Sequence, residues 1–150
     1  MLYALAKTLH VLGVLLWVGG MLFAHFFLRP ALQVLEPPRR LALMREVLRR
    51  FFAAVVVAVL VVLASGLAML RLALRAPGFA WPLDWLAMTA LGLVMMAVFG
   101  WIRLGPYRRF VIALQADDLP AAAAALARIR AWVGFNLALG LAVVALVLLV

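Results

Sequence analysis

The sequence has no cysteine, a single lysine (Lys7), two histidines and five acidic residues among 150. Without cysteine the chain can form no disulfide, no thiolate metal site and no c-type haem attachment. The acidic residues, Glu36, Glu46, Asp84, Asp117 and Asp118, fall in expected loops or at helix edges. They offer no close carboxylate pair, and there is no Ser/His/Asp arrangement or phosphate loop, so hydrolytic chemistry is not expected. Charge of either sign is scarce at 13% of residues, against 71% hydrophobic. A soluble domain is roughly half apolar and a quarter charged, so a soluble reading is poor.

What is present is apolar sequence in four uncharged runs: Thr8 to Leu28, Phe51 to Leu70, Trp85 to Ile102 and Ala131 to Val150. Each reaches the roughly 18 apolar residues that mark a membrane span, since a bilayer core of ~30 Å needs about 20 residues at ~1.5 Å each. The first run is not read as a cleaved signal. It exceeds the ~7–15 apolar residues of a signal peptide and ends in Phe26-Phe27-Leu28-Arg29-Pro30 without a small-residue cleavage site. The expectation is an all-α, single-domain integral membrane protein, an up-down four-helix bundle. Its spans are placed at about 3–28, 51–72, 83–103 and 119–150, with an interfacial helix at about 38–50.

A net charge of +9 raises the question of nucleic acid. The distribution of basic residues answers it. Arg29, Arg39, Arg40, Arg45, Arg49 and Arg50 lie between the first two spans, and Arg103, Arg108, Arg109, Arg128 and Arg130 between the last two. The other face has only Lys7, Arg71 and Arg75. Eleven against three places the arginine-rich loops in the cytoplasm and both termini outside, in an inner membrane of bacterial type. Anionic lipid head groups account for the charge, and no nucleic-acid partner is expected.

Locally, Pro30 is expected to stop helix 1 near the interface, and Pro37-Pro38 to open a helix. Gly105-Pro106 should break helix 3, and Asp117-Asp118-Leu119-Pro120 should cap a last helix that runs on into the membrane. Pro77, Gly78, Trp81 and Pro82 give the outer loop turn chemistry and an aromatic anchor. Small residues for close helix packing are Gly13, Gly19, Gly20, Ser65, Gly66, Gly92, Gly134 and Gly140.

Helix 1 carries the sharpest chemical signal. At 100° per residue, Lys7, His10, Val14, Trp17, Met21 and His25 fall within a sector of about 90°. Intramembrane ionisable residues are costly and usually face the bundle interior. The two histidines are ~22 Å apart along a straight helix and cannot share one ion. Either imidazole can simply hydrogen-bond to a neighbouring helix, or it can ligate haem iron or copper. Copper favours the Met21/His25 pair, a thioether and an imidazole one turn apart. Haem b suits the wide spacing, with His10 and His25 as ligands, and bis-His coordination then requires a homodimer unless Met or water is the sixth ligand. Asn136 is placed as a helix-to-helix hydrogen bonder or a partner for a His or a quinone carbonyl. Arg49 and Arg50 are candidates for haem propionates or lipid phosphates.

Lys7-Thr8-Leu9-His10, Trp17-Val18-Gly19-Gly20 and Phe27-Leu28-Arg29-Pro30-Ala31-Leu32 resemble the membrane domain of the copper-resistance D (CopD) family. The resemblance continues through Arg50-Phe51-Phe52 and Ser65-Gly66. It implies a role in copper uptake or resistance. The Lys-x-x-His and the Trp seven residues after that His also look like HemJ-type protoporphyrinogen oxidases, which bind haem b and use a His matching His10 with a Lys on helix 3. That Lys is missing here, because Lys7 is the only one, which argues against that activity. The leading expectation is a haem b protein with His10, His25, Trp17, Asn136, Arg49 and Arg50 at the cofactor, exchanging electrons with quinone or a periplasmic partner. The alternatives are a copper-handling protein with His10, Met21 and His25 as stations, and a structural membrane subunit.

Overall fold

The computed structural model describes residues 1–149; Val150, where the last helix was expected to end, lies outside them. Among the described residues there is no strand. Helix α1 spans Leu2–Phe23 and continues through a π-helical turn, Ala24–Leu28, a single α-turn, Arg29–Ala31, and a 3-10 turn, Leu32–Val34. Helix α2 spans Pro37–Ala73, α3 Leu83–Leu104, α4 Pro106–Gln115 and α5 Leu119–Leu149. Four of these stretches are long and apolar enough to cross a membrane: Leu2–Val34, Pro37–Ala73, Leu83–Gln115 and Leu119–Leu149.

The helix starts follow from residue chemistry. Pro37 and Pro106 occupy first-turn positions, where a missing N–H costs nothing. Asp118 Oδ1 accepts from the Ala121 backbone N–H at 2.9 Å, an N-cap on α5. Before it Asp117 holds a left-handed φ of 55°, which closes the turn after α4. Pro30 does not stop helix 1. A proline ring clashes with the carbonyl four residues back in an α-helix, and the π-turn that leads into it supplies a wider local spacing.

Helix α2 has 37 residues and so runs about 55 Å, well beyond a bilayer core of ~30 Å. Its first part, Pro37 to Arg50, therefore projects past the apolar stretch. Helix α1 packs mainly on α2, α3 on α5, and α4 folds back onto α5; α1 also touches α5. Two apolar clusters result. One, at the arginine-rich end, is centred on Phe52, Ile102, Phe110 and Ile129. The other, at mid-bundle, gathers Trp17, Val18, Met21, Val55, Ala58, Met95 and Leu137. Outward-facing leucines stay uncovered: Leu15 and Leu60 are each 61% exposed and Leu93 is 56%. A belt of this kind in water would be an aggregation surface, and in a bilayer it is solvated by lipid tails.

Candidate functional site

The apolar face of α1 that turns inward carries His10, Trp17, Met21 and, at the π-turn, His25. Each meets a different neighbour. His10 Nδ1 lies 3.1 Å from the Val62 carbonyl oxygen and 3.2 Å from Ser65 Oγ on α2. A carbonyl can only accept, so Nδ1 carries the hydrogen and Nε2 keeps its lone pair. Ser65 donates its own hydroxyl to the Val61 carbonyl at 2.6 Å and so faces the imidazole as an acceptor. The ring lies across Gly66, where a Cβ would sit 3.4 Å from His10 Cε1. An imidazole held at one nitrogen by a backbone carbonyl, with the other nitrogen presenting a lone pair, is the arrangement metal-binding histidines use.

Trp17 is buried and meets Phe99 edge-on, with ring centroids 6.2 Å apart. It packs in the mid-bundle cluster and does not line the cleft described below. Met21, 2% exposed, accepts from Asn136 Nδ2 at 3.8 Å, a weak bond to sulfur. Asn136 itself is 1% exposed, and its Oδ1 has no partner. A buried amide oxygen left in this state costs about 1–3 kcal/mol.

His25 lies in the π-turn, a deformation often found at functional sites. Its ring stands edge-on to Phe26 at 5.1 Å and crosses Gly134 of α5, where a Cβ would be 3.5 Å from His25 Cε1. His25 faces a cleft of about 450 Å³, within the ~300–1,000 Å³ of small-molecule sites. The walls come from the tail of helix 1, the projecting part of α2 and the start of α5, and their apolar residues are chiefly Leu and Ala, with Pro37, Pro120, Ile129 and Val133. Arg29, Arg40, Arg130, Gln33 and Met44 complete the lining. Arg40 donates to Gln33 Oε1 at 2.8 Å, and Arg29 lies close enough for its charge to act on Arg130. Arg49 and Arg50 are elsewhere. Both donate to Glu46, at 2.8 and 2.6 Å, and hold its carboxyl well below the usual carboxylate range; neither lines the cleft.

The two histidines thus belong to separate places, His10 against α2 and His25 against α5. Among the described residues no group of three or more His, Cys, Asp or Glu gathers. The cleft arginines and Met44 were given no cofactor or metal role from the sequence, although Arg40 and Met44 stand at i,i+4 beside Pro37-Pro38. Ser65 was read as a small residue and as part of the family resemblance, with no contact to His10 expected. Met95, which packs with Met21, had only the generic signal of a core methionine.

In a comparison with known families, the model described as "Copper resistance protein D" matches residues 45–150. The matched segment contains α3, α4, α5 and most of α2, including Ser65, Gly66 and Asn136, and begins after His10, Met21 and His25. A search of curated proteins and a search of solved structures each returned no match.

Proposed function

The chain belongs to the copper resistance protein D family, and from that premise we propose that it handles copper inside the bilayer, with the metal as its cargo. The observation that carries this reading is the state of His10, whose Nδ1–H is engaged by the Val62 carbonyl so that Nε2 is a neutral donor atom. Met21 and His25 follow on the same inward face of α1, a thioether and a second imidazole of the kinds that suit copper. In this reading the three residues are successive stations, and the bundle keeps water from the ion between them. The test is copper accumulation in cells expressing His10→Ala, His25→Ala and Met21→Leu at matched protein levels. Accumulation should change several-fold in each; levels equal to wild type in all three would remove the proposal.

A second reading is favoured by the cleft. The donor set found there suits a haem b: His25 and Met44 would hold the iron, and Arg29, Arg40 and Arg130 on the same lining would bind its carboxylates. Bound there, the group would supply one-electron chemistry, with quinone or a periplasmic protein as partner. His25 and the arginines would bind and orient it, and the leucine walls would exclude water. An absorption spectrum of protein made under haem-replete conditions decides the matter. A Soret band lost in His25→Ala supports the reading, and no band in wild type ends it.

A further inference from the structure

Asn136 stands where a membrane helix can least tolerate an unsatisfied amide, and it meets the sulfur of Met21 beside a cluster that also holds Met95 of α3. Its Nδ2 is 3.8 Å from Met21 Sδ. A thioether only accepts, so this contact fixes the amide orientation and leaves Oδ1 as the bare acceptor. One turn further along α5, Gly140 opens the surface: a Cβ there would lie 3.1 Å from Met95 Cε and 2.8 Å from Val18 Cγ2. Asn136 and Gly140 are i,i+4 on α5, and Val18 and Met21 are i,i+3 on α1, so each pair shares a helix face. The methyl end of Met95 on α3 lies against Gly140, one turn from Asn136, in the cluster that holds Met21. The buried residues that enclose the three, Trp17, Val55, Ala58 and Leu137, bear no charge. The junction offers acceptor atoms, two sulfurs and one oxygen, and the N–H donors around it are the Asn136 amide and the Trp17 indole.

We propose that Met21, Met95 and Asn136 Oδ1 form a mid-bundle site for a Cu(I) ion. This deepens the copper reading above and rests on it. Soft thioethers select Cu(I) over harder divalent ions. A single positive charge is also the least costly that a metal can bring into the bilayer interior. The uncompensated amide dipole offsets part of that cost, since its negative end is the atom without a partner. The site stands between His10 and His25 along α1, about 16 Å from the first and 6 Å from the second at helical rise.

The experiment uses the full chain in nanodiscs, which with no cysteine has no thiolate to compete for copper. Anaerobic titration with Cu(I) against a chromogenic chelator gives the affinity, and the copper X-ray absorption spectrum gives the ligand atoms. The expected result is a shell containing sulfur in wild type. That sulfur signal should diminish in Met21→Leu and Met95→Leu, with binding at least tenfold weaker in each and in Asn136→Leu. Met→Leu conserves volume, and unchanged melting will show that the core is intact. Met88→Leu, two turns from Met95, should bind as wild type. The wild-type spectrum is decisive by itself should a variant fail to insert. A nitrogen-only shell indifferent to both leucine variants overturns the thioether site and leaves copper handling by the histidines standing. No Cu(I) binding at all overturns both.

Discussion

An imidazole or amide that leaves water for a bilayer must find its hydrogen bonds in the protein, and His10 and Asn136 do so to different degrees. His10 is held at Nδ1, and Ser65 stands beside that bond as a second acceptor. If His10 is a copper ligand, Ser65→Ala should loosen the ring without removing it. Losing a hydrogen bond that orients a metal-binding ring typically costs 10–100-fold in metal affinity, and about tenfold is expected here from a competitive chelator titration, with the melting temperature unchanged. A Ser65→Ala affinity equal to wild type would place Ser65 in helix packing alone. Asn136 is the opposite case, because its oxygen is unsatisfied. Asn136→Leu should stabilise the metal-free protein by about 1 kcal/mol in reversible unfolding from mixed micelles, since it removes a buried orphan from a close-packed apolar site. Destabilisation would mean that the Met21 contact outweighs the orphan. The inward stripe of α1 was legible because 3.6-residue periodicity needs only one helix. The partners were not, because Val62, Ser65 and Asn136 come from 52, 55 and 115 residues away, and nothing local encodes which helix turns its face to which.

At the scale of helices, glycine shows what spacing can and cannot tell. Gly13 and Gly19 were equal in the sequence as small residues in an apolar run. In the structure a Cβ on Gly13 would meet Val62 Cγ2 at 2.8 Å and the Ala58 carbonyl oxygen at 3.3 Å, whereas one on Gly19 would meet nothing within 4 Å. The Ala58 oxygen is backbone and cannot swing aside, so Gly13→Ala must push α1 off α2. Overpacking of this kind costs about 1–3 kcal/mol, and it acts one turn from His10. Gly19→Ala faces open space and should unfold as wild type. Equal melting of the two variants would show that the α1–α2 contact is looser than described. Breaks set by residue chemistry were readable: Gly105-Pro106 divides α3 from α4, and Asp118 caps α5. The helix 1 stop at Pro30 was not, because its carbonyl clash is relieved by the π-turn from Ala24 to Leu28, which no short pattern announces. That turn also sets His25 into the cleft and brings Arg29 to its rim.

For the whole molecule, four apolar spans were legible because the bilayer sets one length for all of them. The pairing of α1 with α2 and of α3 with α5 is decided by side-chain fit, which composition does not carry. Orientation is the remaining global property, and it rests on charge. Eleven basic residues lie at the end bearing the α1–α2 and α4–α5 connections, against three at the other. Translocating arginine is opposed during insertion, so the arginine-rich end should stay in the cytoplasm. Four crossings then put both termini outside, with His10 near the outer face and the cleft near the inner one. The cysteine-free sequence makes the test direct, since any introduced thiol is unique. Ala80→Cys, in the exposed turn before α3, should react with a membrane-impermeant maleimide on intact cells. Ala116→Cys, in the exposed turn before α5, should react only after permeabilisation. The reverse pattern would invert the molecule and put His25 with its arginine-rimmed cleft, instead of His10, on the side from which external copper arrives.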